Sequence, residues 1–374
     1  MKLKPLLLML PLLAAAIPYL SVNLAGLMSA PPMAIPAPMV ATGNDFSNRP
    51  HYPAPWRLGA NGLIDAEQKR VLAAGVNGVG YTNLPLSVKE ADSRATTLDK
   101  LGVRVFRPHH MDLPLRDNPR SHGERFQRWL DALKRKKIPV IMETASSQFS
   151  KEKLALGEPT ETARWKAYVD QLFKLDLSNV VAICPVNEPA PTSEKVFRAQ
   201  YDYIRSKGFK GLIFASNAMI ARGPQGDVAD IHLYCGLHGQ PHDQFLEIEF
   251  KDEPWNHPKP QRLPIIATEI GHFWPASTRY QSEWQIIESL LKVDAQVIIM
   301  YALINHDDEW KVGSKVPLSQ DSFANDPERM ETLARLVNRM AGVDYFPKTY
   351  TPGLKRKHIE GGKWKIGTAT SASD

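Results

Sequence analysis

The chain has 374 residues, of which 43% are hydrophobic, 23% charged and 9% aromatic; this excludes a disordered or fibrous protein and supplies enough apolar surface for a large core. The net charge of +6 and the pI near 9.1 would suit a polyanion-binding protein, but the charge sits at the ends. Residues 1–30 carry Lys2 and Lys4 and no acid, residues 348–374 carry a net +4, and the stretch 31–347 is neutral. Nucleic acid is therefore excluded as a partner, and so is a generally acidic substrate.

Met1 to Lys4 precede an apolar run from Pro5 to Leu20, with small residues at Ala14 to Ala16 and at Ser29-Ala30. That is the layout of a secretory signal peptide over residues 1–30 and implies a secreted or periplasmic protein. An uncleaved anchor is the competing reading, because apolar character continues to Met28, the length of a membrane span; this segment is the only expected membrane contact. No cysteine precedes Cys184 to accept a lipid, which excludes a bacterial lipoprotein. Residues 31–55, with seven prolines, read as an extended linker. Residues 56–347 read as the main folded domain, expected to act as a monomer, and 348–374 as a basic tail, solvated or resting on an anionic envelope surface.

From Val76 onward, short Val- and Ile-rich runs alternate with amphipathic segments, the pattern of a parallel sheet covered by helices. Strands are predicted at 76–80, 103–107, 138–143, 180–187, 211–215, 229–234, 264–269 and 296–301. Helical stripes follow Phe126-Trp129-Leu130-Leu133, Trp165-Tyr168-Val169-Leu172-Phe173, Val196-Phe197-Tyr201-Ile204, Tyr280-Trp284-Ile287-Leu291 and Met330-Leu333-Val337-Met340. Aromatic residues at this spacing belong to a core rather than to sugar platforms. Eight strands with intervening helices favour a (β/α)8 TIM barrel over an open doubly wound sheet. No G-x-G-x-x-G or G-x-x-x-x-G-K turn follows a strand, which removes the usual nucleotide signatures. Gly223, Pro224 and Gly226 leave helix five short or missing, and the segment from Gly236 to Arg262 reads as a loop over the barrel mouth, with a short helix around Gln244 to Glu249.

A barrel carries its active site at the carboxyl ends of its strands. The fourth predicted strand closes with Asn187-Glu188-Pro189 and the seventh with Glu269-Ile270-Gly271, so two carboxylates face each other across the mouth. That suits glycoside hydrolysis, in which an acid protonates the leaving oxygen while a carboxylate works from the other face of the sugar.

Val186-Asn187-Glu188-Pro189 followed by Thr268-Glu269-Ile270-Gly271 resembles the retaining glycoside hydrolases of clan A, most of all the cellulase-type enzymes of glycoside hydrolase family 5. Leu101 to Pro108 is similar to that family's second strand and Asp230-Ile231-His232-Leu233-Tyr234 to its His-x-Tyr strand. The resemblance implies Glu188 as acid/base with a raised pKa, Glu269 as nucleophile and Asn187 on the sugar 2-hydroxyl. It also implies Arg107 keeping Glu269 ionised, Tyr234 bonding the nucleophile and His232 lining the catalytic subsite. The substrate is then a β-linked carbohydrate, with no metal or organic cofactor required. Two places depart from the pattern: the third strand ends Ile141-Met142-Glu143-Thr144-Ala145-Ser146 where the family has a histidine, and the eighth has Tyr301-Ala302-Leu303 where it has a tryptophan, with His109 and His110 placed to compensate. These departures motivate a second reading, a carbohydrate-binding envelope barrel that does not hydrolyse.

A metal-dependent hydrolase could be assembled from His109, His110, His232, His238, His242 and Asp230, but there is no H-E-x-x-H and no His-x-His on the first strand. Trp255, Trp274 and Trp310 fall in mouth loops rather than in helical stripes and are the subsite candidates. A fifth strand between Cys184 and Cys235 puts them beyond bridging reach, so two free thiols are expected.

Overall fold

The computed structural model describes residues 45–80, 84–109, 119–145, 149–188, 192–216, 226–235, 263–272, 283–304, 323–324 and 327–343. The chain starts with an antiparallel hairpin, β1 (Arg57–Gly59) and β2 (Gly62–Ile64). Eight parallel strands follow: β3 (Ala73–Val79), β4 (Val105–His109), β5 (Val140–Glu143), β6 (Val180–Cys184), β7 (Leu212–Ile213), β8 (Ala229–Cys235), β9 (Ile265–His272) and β10 (Val297–Ile304). Between them run α1 (Val88–Lys100), α2 (Pro119–Arg135), α3 (Lys151–Ala155), α4 (Pro159–Leu172), α5 (Glu194–Ser206) and α6 (Glu283–Lys292), with α7 (Pro327–Met340) after the last strand. The order β7-β6-β5-β4-β3-β10-β9-β8 joins the first and last parallel strands, so the sheet curls into the (β/α)8 barrel that the alternation predicts.

All eight predicted strands are present, with ends shifted by a few residues. The fourth stops at Cys184 rather than at 187, because Pro185 has no N–H for the ladder. The seam between β7 and β8 is the irregular one: the described residues join there through the Phe214–Gly226 bridge and the Asp227 N–H to Ile213 carbonyl bond. Gly226 has φ +73° and a Cβ on it would lie 2.2 Å from the Ile213 carbonyl oxygen, so glycine is required there. The expected short fifth helix and the mouth helix around Gln244 to Glu249 lie outside the described residues.

Two apolar layers hold the barrel. The outer one packs strands against helices: Phe126, Trp129, Leu130 and Leu133 of α2, Trp165, Val169 and Leu172 of α4 and Leu333 and Val337 of α7 are all buried, as their spacing predicts. Tyr280 lies outside the described residues. Ser87, Ser150 and Ser193 cap α1, α3 and α5 by accepting a backbone N–H in the first turn. The inner layer fills the barrel with Ala73, Val105, Ile141, Val181, Ile266, Val297 and Ile299, and its amino-terminal end is closed by Tyr52, Trp56 and Leu63.

That closure corrects the boundary at 56. Phe46 and Tyr52 are buried, and Arg104 donates to the carbonyls of Phe46, Arg49 and Pro50, so chain read as linker from 45 onward is part of the packed fold. The hairpin was also not foreseen, although Asn61-Gly62 is its local signal. Gln296, just before β10, holds it by accepting from the Leu63 N–H and donating to the carbonyls of Leu63 and Val71. No helix among the described residues is long and apolar enough to cross a membrane.

Candidate active site

At the carboxyl ends of the strands the apolar fill gives way to charge. Glu269 in β9 is buried, with a side-chain exposure of 4%, whereas the Glu188 side chain after β6 is 33% exposed. One carboxylate is therefore held in the floor and the other can be reached from the mouth. Glu188 has φ +46°, a region costly for a residue with a Cβ and characteristic of functional turns; the preceding Asn187 N–H bonds the Ala145 carbonyl.

Arg107 in β4 is fully buried and donates hydrogen bonds to three side chains. Its Nη1 donates to Glu269 Oε1 at 2.5 Å and to Asn77 Oδ1 at 3.1 Å, and its Nη2 donates to Asn187 Oδ1 at 2.6 Å. Tyr234 in β8 donates its hydroxyl to Glu269 Oε2. Burial alone would raise the Glu269 pKa, but the charges of His232 and Arg107 outweigh it and hold the carboxyl well below the usual range.

His232 is the hub of the opposite side. Its Nδ1 lies 2.7 Å from Glu188 Oε1 and 3.6 Å from Glu269 Oε2. Its Nε2 lies 2.9 Å from Thr268 Oγ1, 3.0 Å from Ser216 Oγ and 3.2 Å from Asp230 Oδ2. Thr268 spends its own hydroxyl proton on Asp230, and Ser216 spends its on Asn187, so both ring nitrogens act as donors. Burial works against the charged ring, yet Glu269 and Asp230 overcome it and push the His232 pKa up to about 10. His232 is an imidazolium at neutral pH.

This overturns the expectation that Glu188 has a raised pKa. Burial does push it upward, but the hydrogen bond and the charge from His232 prevail and bring it below the ordinary value. Sequence motifs carry no information about that balance.

The predicted residues otherwise fall as follows. Glu188, Glu269, Arg107, Asn187, His232 and Tyr234 converge on one site. His109 at the end of β4 and Tyr301 in β10 join them: the His109 ring packs edge-on against Tyr301 at 5.7 Å, and Tyr301 against Tyr234 at 5.9 Å. Trp255, Trp274 and Trp310 lie outside the described residues, as do His110, His238 and His242. Sequence reasoning passed over Asn77, Glu143 and Ser216 as site residues. Glu143 and Ser216 fall at or just after the end of an apolar run, so the rule that found Glu269 would have found them too; Asn77 lies inside its strand and carries no such signal.

Glu188, His232 and Glu269 have donor atoms within 4.8 Å of one another, close enough for a metal. The donors are already committed, however: both His232 nitrogens to carboxylate and hydroxyl partners, and both Glu269 oxygens to Arg107 and Tyr234. Cys184 is a free, buried thiol directed at the Val186 carbonyl, and Cys235 belongs to β8, with β7 lying between the two strands in sequence.

No family model and no curated protein matches the sequence. Solved structures do. A β-glucanase from Saccharophagus degradans superposes with a TM-score of 0.57 at 15% identity, covering 79% of this chain and 96% of its own. An endo-β-1,4-mannanase from Thermotoga petrophila gives 0.56 at 12% identity over 75% and 79% of the two chains. An endo-1,4-β-mannanase from Rhizomucor miehei gives 0.54 at 12% identity over 77% and 100%. The likeness is one of whole folds: this chain shares its (β/α)8 barrel with these three enzymes.

Proposed function

We propose that the protein is a retaining β-glycosidase acting on a neutral β-linked oligo- or polysaccharide. The observation that carries this reading is the pairing of a buried, ionised Glu269, bound by Arg107 and Tyr234, with the accessible Glu188 across the mouth. Glu269 attacks the anomeric carbon as the bond to the leaving oxygen breaks. In forming the ester it loses its charge, and His232 loses one of the anions that hold its proton. The His232 proton then passes through Glu188 to the leaving oxygen. In the second half Glu188 takes a proton from water, the hydroxyl displaces Glu269 from the sugar, and His232 is recharged. Asn187 turns its carbonyl oxygen to Arg107, leaving its amide N–H for the sugar 2-hydroxyl.

The departures that suggested a non-hydrolytic barrel are filled positions: Glu143 pairs with His109, and Tyr301 packs on His109 and Tyr234. The test is a screen of glucan, mannan, xylan and aryl β-glycosides, with product stereochemistry read early by NMR. Retention with loss of turnover in Glu269→Gln is expected; inversion, or binding without product across the panel, would overturn the reading. We further propose, from the leader-like residues 1–30, that the protein acts outside the cytoplasm; recovery in the periplasmic or culture fraction is expected, and recovery with the cytosol would overturn this.

A further inference from the structure

Glu143 closes β5, is 2% exposed and has no part in the double displacement just described. Its Oε1 lies 3.0 Å from His109 Nδ1 and its Oε2 3.5 Å from Arg107 Nη2. The same two groups face the proposed nucleophile, with Arg107 Nη1 at 2.5 Å and His109 Nδ1 at 4.0 Å from Glu269 Oε1. Two buried carboxylates from β5 and β9 therefore share one guanidinium and one imidazole. Burying a further anion is costly unless it is partnered, and a glutamine would fill the same space without that cost.

We propose that Glu143 is a positioning residue for Glu269: it draws Arg107 and His109 partly onto itself and lends its negative charge to the sugar as positive charge develops there. The inference rests on Glu269 being the nucleophile. Its sign follows from electrostatics. A carboxylate whose guanidinium partner is undivided is a weaker nucleophile, and an anion fixed beside an oxocarbenium-like centre stabilises it. Neutralising Glu143 removes both effects, and both losses slow the attack.

The test isolates that step. The 2,4-dinitrophenyl 2-deoxy-2-fluoro β-glucoside and β-mannoside form a carbon–oxygen bond to the nucleophile as the carbon–oxygen bond to dinitrophenolate breaks; the electron pair leaves with the phenolate and no proton is needed. With the full-length chain, one dinitrophenolate per molecule is expected from wild type, Glu143→Gln and Glu143→Asp alike. The rate constant at saturation should fall about 30- to 300-fold in Glu143→Gln, with the half-saturating concentration little changed, and recover to within about tenfold of wild type in Glu143→Asp. A Glu143→Gln rate constant within about threefold of wild type would overturn the proposal. So would a stoichiometry that drops while the rate constant holds, which marks a folding defect, or a change confined to half-saturation, which marks a sugar contact. If wild type releases nothing from these reagents and forms no product from the glucan, mannan, xylan and aryl β-glycoside panel, the glycosidase reading fails and this inference with it; a wild type active only on another sugar of the panel is tested with the 2-fluoro reagent of that sugar, and an active wild type matched by Glu143→Gln defeats this inference alone.

Discussion

The two ends of the barrel are built from the same strands and hold opposite contents. At the amino-terminal end Trp56 and Leu63 are fully buried against Val71, Ala73 and Val297, and the polar hairpin backbone is satisfied by Gln296. At the carboxyl end Arg107, His232, Asp230, Glu143 and Glu269 are almost equally buried and every one is ionisable. Burial at the first end stabilises the fold by removing apolar surface from water. At the second it raises the cost of each charge and is offset only by the neighbouring charge. The lesson is that stability and chemistry are separable in this molecule, and substitutions at the two ends should separate them.

The largest effect on activity is expected from Glu269→Gln, which should lower turnover by more than about 10⁴-fold while leaving a folded barrel by circular dichroism. Activity near wild type would remove Glu269 from the reaction and end the contrast. Glu188→Gln should lower kcat/KM about 10²- to 10⁴-fold on phenyl glycosides and much less on dinitrophenyl glycosides, whose leaving groups need no proton. An equal loss on both would deny Glu188 the role of acid.

At the other end, Trp56→Ala should cost about 3–5 kcal/mol of stability through the cavity it leaves, read as a lowered denaturant midpoint. The kcat of the remaining folded protein should be unchanged. A selective loss of kcat would show that the plug and the site are coupled.

The pH profile sharpens the comparison further. Because the reaction needs the His232 proton and that pKa is about 10 in the free protein, kcat/KM should hold through neutral pH and fall as pH rises through about 10. The limb in kcat should come lower, since Glu269 is neutral in the intermediate. On the acid side both glutamates titrate below the ordinary range, so activity should persist as pH falls to the ordinary carboxylate pKa of about 4.3. A basic limb near 6 would mean that Glu188 alone supplies the proton. The smallest effect belongs to neither end: Asp92→Ala removes the exposed partner of Arg135 on the outer helices and should change stability by less than about 1 kcal/mol.

Much of this was legible in the chain. Val- and Ile-rich runs separated by 3.6-periodic stripes specify strands and helices locally, which is why all eight strands were found from 76 onward. Polar residues that close such runs must face the mouth, which is why Glu188 and Glu269 could be named from position, whereas Arg107, His232 and Tyr234 were named because their strands resemble those of a known family. The hairpin was overlooked for a different reason: β1 and β2 have three residues each, too short for an apolar period to rise above the turn that joins them. The linker reading failed at its end because proline content describes a backbone preference, whereas the burial of Phe46 and Tyr52 depends on surfaces supplied by distant residues.

What the sequence determined by itself is therefore the alternation, the barrel and the set of charged residues at its mouth, because each is written in local spacing. What only the tertiary structure decided is how those charges divide among themselves. Glu188 sits below rather than above its ordinary pKa because His232, 44 positions away, donates to it. Glu143 shares Arg107 and His109 with Glu269 because β4, which carries both of those side chains, brings them within reach of β5 and β9 alike. Pairing energies fall with distance in space and are indifferent to distance along the chain, so the ionisation of the site exists only once the barrel has closed.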